Sequence, residues 1–158
     1  MSITPRIICL SLILVCSHAG AALARDEVRI SPASGTTGTT PIIFSAEIMR
    51  TSEEMARGLM FRSALPQSAA MVFLVDPPQK VQFWMRNTLI PLDMIFVDEH
   101  GIIQDIVTRY DTESDAATAS SGPVGMVIEV NADIAKDMGI VAGDKVDLLN
   151  CETKCQTN

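Results

Sequence analysis

Residues 92–97, Leu-Asp-Met-Ile-Phe-Val, constrain the fold of this chain most tightly. In an extended strand Leu92, Met94 and Phe96 point to one side, and Asp93, Ile95 and Val97 to the other. Both sides are apolar except at Asp93, so the strand belongs at the centre of a sheet with cover on both faces. A second strand-like run, 81–85, precedes it. Between the two lies a polar corner, Arg86-Asn87-Thr88, with Pro91 stiffening the return. The stretch 81–97 also holds the only Trp, Trp84, and a charged pair, Arg86 and Asp93.

That corner admits two readings. A carboxylate at the mouth of a core is costly unless it is paired or hydrogen-bonded, so Asp93 either forms a buried ion pair or turn cap that fixes the corner or lines a polar site in an apolar cleft. Arg86, Arg57 and Arg62 are its candidate partners. Trp84, Arg86 and Gln82 share one strand face, and Val81, Phe83 and Met85 share the other, which is core. An indole beside a guanidinium suits a sugar ring or a carboxylated ligand, because guanidinium binds carboxylates through two parallel bonds. The candidate ligand-binding residues are therefore Arg57, Arg62, Trp84, Arg86, Asn87 and Asp93. Trp84 has the alternative of serving as a satellite-core residue.

The patterning elsewhere is that of short strands. Residues 42–49 alternate with period two. Thr51-Ser52-Glu53-Glu54 is a capping box opening a short helix, and Gly58 is placed to end it. An apolar run, 70–75, stops at Asp76-Pro77-Pro78, where a turn is expected. Residues 92–110 form a hairpin about the turn Asp98-Glu99-His100-Gly101. Residues 111–122 are small, polar and acidic, and long for a structureless loop, so they read as a functional flap or a mobile insert. A strand over 123–130 leads to a helix over 132–138 with Asn131 as N-cap, and a last strand covers 145–149. Strands not separated by regular helices exclude a doubly wound sheet. The expected fold is mainly β, a compact antiparallel β-sandwich or distorted barrel with two short helices.

The first 24 residues read as a secretory signal peptide: Arg6 in the n-region, an apolar stretch over 7–16, and a small-residue cleavage site at Ala22-Leu23-Ala24. Ten apolar residues fall short of the roughly 20 that span a bilayer, so no transmembrane segment is expected after cleavage. Cleavage after Ala24 leaves 134 residues, with 11 basic against 19 acidic side chains. A periplasmic or extracellular address follows. Such a chain repels nucleic acid and anionic surfaces. Residues 25–41, small and polar, read as a flexible linker, 42–149 as one β-rich domain and 150–158 as a C-terminal tail.

Catalytic templates are mostly missing. His100 lies at a turn tip without placed Ser and Asp partners, and there is no nucleophile elbow, phosphate loop or dinucleotide fingerprint. No cofactor and no metal are expected. A carboxylate-based envelope hydrolase stays open if Asp93, Asp105 or Glu129 converge. The methionines read as core, with a thioether copper site as the alternative. Cys151 and Cys155 are candidates for a short tail disulfide, for two free thiols, or for a metal site that would need further ligands. Oligomeric state is not legible.

Residues Ala56-Arg57-Gly58-Leu59-Met60-Phe61-Arg62, Met71-Val72-Phe73, Phe83-Trp84-Met85-Arg86-Asn87-Thr88-Leu89-Ile90-Pro91-Leu92-Asp93, Val127-Ile128-Glu129-Val130 and Gly143-Asp144 together resemble the domain of unknown function 192 family. The resemblance runs from about residue 44 to 148. It implies a compact β-rich domain, often exported, whose biochemical role is not established. Arg57, Gly58, Met60, Arg62, Trp84, Met85, Asn87, Thr88, Pro91 and Asp93 match its signature positions. Residues 111–122 depart from it, being Ala/Ser/Thr-rich where similar proteins tend to carry a Pro-rich loop, in some cases with cysteines, so no loop ligand contact or loop disulfide is carried over. The functional expectation is a binding module for a small polar or anionic envelope-derived ligand. The rivals are the hydrolase using Asp93 and an accessory module that docks an envelope protein.

Overall fold

A computed structural model describes residues 26–33 and 40–149. The signal peptide, part of the linker, Cys151 and Cys155 lie outside these residues. In chain order the elements are β1 (Glu27–Ser31), β2 (Ile42–Met49), α1 (Ser52–Arg57), β3 (Ala69–Gln79), β4 (Gln82–Phe83), β5 (Leu92–Val97), β6 (Ile103–Arg109), β7 (Thr118–Ala119), β8 (Val124–Asn131), α2 (Ile134–Met138) and β9 (Lys145–Leu149). Seven strands make one sheet in the order β6-β5-β8-β3-β2-β1-β9, and β4 pairs with β7 in a small ribbon. The large sheet curls until its two ends meet. Ile102 bridges Lys145, and Ile103 N–H donates to the Asp144 carbonyl at 2.9 Å. The architecture is mainly β, a curled half-barrel with two short helices.

β5 sits between β6 and β8, and all six of its residues are buried. The two apolar faces read from its sequence build two cores. Ile95 and Val97 face a core drawn from all seven strands, including Val28, Phe44, Val72, Ile103, Ile128 and Val146. Met94 and Phe96 face a second core with Met71, Phe73, Val127 and, from the connecting segments, Leu59, Leu65 and Met85.

The pairing of β2 with β3 is parallel, the one departure from an antiparallel sheet. A parallel pair needs a crossover, and residues 50–68, carrying α1, supply it. The capping box at Thr51 is complete: Thr51 Oγ1 accepts from Glu54 N–H at 3.2 Å, and Glu54 Oε2 accepts from Thr51 N–H at 2.9 Å. Gly58 ends the helix with φ 45°, and a Cβ there would lie 3.2 Å from Phe73 Cζ. Positive φ and close approach both require glycine.

Four sequence expectations are corrected. Residues 27–31 are strand, not linker: Val28 and Ile30 alternate with polar neighbours and are fully buried between β2 and β9. β3 does not stop at Asp76, because Pro77 and Pro78 sit in an exposed break of its ladder between Leu74 and Gln79, where no donor is needed. The strand expected over 81–85 shortens to β4. Asn131 does not cap α2; it ends β8 and donates to the Leu65 carbonyl at 2.9 Å.

The cap of α2 comes from elsewhere. Asp133, at the N-cap position, makes no side-chain cap bond. Instead Asp93, fully buried on β5, accepts from Ala135 N–H at 2.9 Å through Oδ2, and from Thr108 Oγ1 at 2.6 Å through Oδ1. Both carboxylate oxygens are satisfied without an arginine. Asp93 thus pins the helix that closes the inner core to the sheet's central strand. Replacing Asp93 with Ala strands two buried donors and should cost about 2–4 kcal/mol, measured as a lower urea midpoint at unchanged slope. A loss below about 0.5 kcal/mol would contradict this role.

Candidate functional site

The outer core is incompletely covered. α1 buries none of its residues, and between it and the β3–β4 turn the sheet is left under a cavity of about 400 Å³. That volume falls within the roughly 300–1,000 Å³ of small-molecule sites. Met55, Leu59, Phe73 and Phe83 give it apolar walls. Phe83 is held edge-on between Phe73 and Phe96, with centroids 5.0 and 6.4 Å away, an arrangement that aromatic quadrupoles favour. Gln79, Gln82 and Thr88 add neutral polar groups, Arg57 and Lys80 add charge from the exposed rim, and Trp84, 44% exposed, stands at the margin.

One carboxyl lines the cavity. Glu129 projects from β8 on the face of Val127, between Met71 of β3 and Met94 of β5. It is 4% exposed, and among the described residues it has no hydrogen-bond or ion-pair partner. Burial, with no charge to offset it, pushes this carboxyl up to about 8. It is therefore largely protonated at neutral pH.

The structure distributes the sequence candidates among different places. Arg57 and Trp84 line the cavity. Arg62 lies outside it in a two-pronged pair with Glu47, both bonds 2.6 Å, which lowers the Glu47 carboxyl. Arg86 lies over the Trp84 ring, 5.0 Å from its centroid, and its Nε donates to Asp115 at 2.6 Å. Asn87 takes φ 55°, and its carbonyl accepts from Phe61 N–H at 2.8 Å, joining the corner to the crossover. Asp93 faces the opposite side of the sheet from the cavity, with Ile95 and Val97. Asp93 and Glu129 therefore do not converge.

The 111–122 segment is organised around Arg109. Its guanidinium grips Asp111 through two 2.7 Å bonds, holding that carboxyl well below the usual range, and donates to the Ala116 carbonyl at 3.0 Å and to Thr118 Oγ1. Main-chain bonds from Met85 to Ser114 and from Glu113 to Thr88 then lay the segment against the corner.

A family model described as "uncharacterized ACR", domain of unknown function 192, matches residues 34–148. The chain belongs to the domain of unknown function 192 family. A solved structure of a protein of unknown function from Novosphingobium aromaticivorans is similar at 38% identity and TM-score 0.72, covering 82% of this chain and 89% of that one. Another, from Sinorhizobium meliloti and provisionally described as a transcription regulator, is similar at 31% identity and TM-score 0.69, covering 80% of this chain and 95% of that one. No curated protein matches.

Of the positions at which the chain resembles the signature of the domain of unknown function 192 family, Arg57, Gly58, Met60, Trp84 and Thr88 line the cavity. Sequence reasoning gave Glu129 no more weight than Asp93 or Asp105, did not single out Lys80 or Gln79, and named Gln82 only as a neighbour of Trp84 on its strand face. The signal for Glu129 was available: it is the one charge within the apolar strand 124–130. Among the described residues no group of three or more His, Cys, Asp or Glu is placed to hold a metal ion.

The raised Glu129 carboxyl has a consequence for stability. Its folded value, about 8, exceeds the ordinary 4.5 of a glutamate carboxyl, so between those values the folded state binds more protons than the unfolded one. Its contribution to stability then falls as pH rises from about 4.5 to 8 and is constant above. Glu129→Gln should match the wild type at pH 4 and exceed it at pH 8.5 by up to about 4 kcal/mol. Chemical denaturation at the two pH values checks this; equal stability at both would contradict it.

Proposed function

We propose that this chain is an exported binding domain for a small anionic molecule held in the cavity between α1 and β4. The observation that carries the reading is the state of the cations. Arg29, Arg62, Arg86 and Arg109 each pair with a carboxylate on the same chain. Arg57 and Lys80, at the cavity, have no such partner among the described residues. In a chain with formal net charge −7, two unneutralised cations beside an apolar cavity favour a ligand that brings its own negative charge. Trp84 at the margin and the amides of Gln79 and Gln82 suit a sugar-like body, since an indole packs on a ring and amides meet hydroxyls. The signal-peptide pattern supports an envelope source for the ligand.

The hydrolase reading is weaker. Retaining and inverting glycosidases need two carboxyl groups about 5–10 Å apart, and Glu129 is the single carboxyl among the cavity-lining residues. The regulator description of the Sinorhizobium protein is not carried over, because an acidic chain repels the phosphate backbone.

A thermal-shift screen of the chain lacking residues 1–24 tests the proposal, using N-acetylmuramic acid, muropeptides, hexuronates and sugar phosphates against neutral sugars. A ligand at about 100 times its Kd adds about 2.7 kcal/mol, which raises Tm on the order of 5–10 °C. The anionic compounds should stabilise the wild type, and the double variant Arg57→Ala/Lys80→Ala should lose most of the shift. Trp84→Ala should lose part of it. A flat response across all the anions would refute the reading.

A further inference from the structure

Glu129 is a defect by ordinary packing rules, a carboxyl in the outer core with neither charge partner nor hydrogen bond. A carboxyl without a partner in a core is destabilising, and this one is retained at the inner wall of a cavity. The titratable groups that share the lining are Arg57, from α1, and Lys80, from the turn between β3 and β4; both are on the exposed rim. The flanking strands present Met71 and Met94, and the same face of β8 presents Val127. Burial is the sole cause of the raised Glu129 carboxyl, and neither rim cation offsets it.

We propose, on the strength of the anion-binding reading above, that Glu129 keeps its proton and donates it in a hydrogen bond to a neutral oxygen acceptor, such as an amide or acyl carbonyl, at the inner end of the ligand. Arg57 and Lys80 meet the anionic group at the outer end. The ligand class is a small acid with an acyl or amide oxygen, an N-acylated amino-sugar acid being one example. The raised value of this carboxyl, about 8, agrees with a neutral donor at physiological pH, and a buried carboxylic acid kept neutral so that it can donate is known from enzyme active sites. A cationic ligand end is disfavoured, because it would pass two rim cations and then have to deprotonate the acid.

The test is calorimetric titration of the chain lacking residues 1–24 with N-acetylmuramic acid and with muramic acid, which at pH 6.5 carries an ammonium in place of the acetamide. Both run at pH 6.5 and pH 9, with wild type, Glu129→Gln and Glu129→Leu. The wild type should prefer N-acetylmuramic acid, and its affinity should weaken about tenfold at pH 9 as Glu129 ionises. Glu129→Gln, which keeps a donor, should bind equally at both pH values. Glu129→Leu, with its fold verified by circular dichroism, should bind at least tenfold more weakly at pH 6.5. Preference for muramic acid, affinity rising with pH, or unimpaired binding by Glu129→Leu would each overturn the assignment while leaving the anion pocket intact. Absence of binding by both probes, together with a flat thermal screen, would overturn the pocket reading and this inference together.

Discussion

The structure depends on a strand that cannot show either face to water. β5 is buried along its whole length, so the sheet around it must be covered twice. The inner cover comes from curling: seven strands bend until Ile102 meets Lys145, and a core drawn from every strand is enclosed. The outer cover comes from the crossover between β2 and β3 and from the segment between β4 and β5. The two cores differ in kind. Inside, β-branched residues such as Val28, Ile30, Val72, Ile95, Val97, Ile128 and Val130 dominate, as suits a regular pleated wall. Outside, Met71, Met85, Met94, Phe73 and Phe96 fill the irregular space between a sheet and loops, where unbranched thioethers and large rings adapt best.

Double coverage explains why two carboxyl groups on the same sheet have opposite fates. Asp93 faces inward at the end of β5, where the first turn of α2 and the hydroxyl of Thr108 supply donors to both its oxygens. Glu129 faces outward from β8, under the part of the cover that α1 leaves open, and receives no donor at all. The first is a structural cap acting across 42 residues of chain. The second is a polar group that the fold leaves unsatisfied beside a cavity, and departures from local consistency of this kind concentrate at functional sites.

The remaining charges show how far the surface is internally neutralised. Arg109 organises the acidic segment 111–122 by gripping Asp111, and Asp115 of that segment in turn occupies Arg86 over Trp84. A stretch that reads as a flap is thus tied to the corner. Arg86 serves that tie rather than the cavity, whose lining cations are Arg57 and Lys80.

Much of the fold was legible because its signals are local. The alternation of 42–49, the capping box at Thr51, the hairpin about 98–101 and the two faces of 92–97 each reside in a few consecutive residues, and backbone geometry leaves them little choice. β1 escaped because Val28 and Ile30 alone carry its pattern, too few to stand out beside a polar linker. The candidate site was half legible: Trp84 and Arg57 were marked by residue type and line the cavity, whereas Arg62, Arg86, Asn87 and Asp93 were marked the same way and lie elsewhere. Which acid meets which base, and which carboxyl is left alone, depends on strand order, β5 against β8 and β8 against β3. Strand order brings together residues far apart in the chain. By itself the sequence determined which residues must be buried and on which face; only the tertiary structure decided their neighbours, because a carboxyl's hydrogen bonds and desolvation are properties of the space around it.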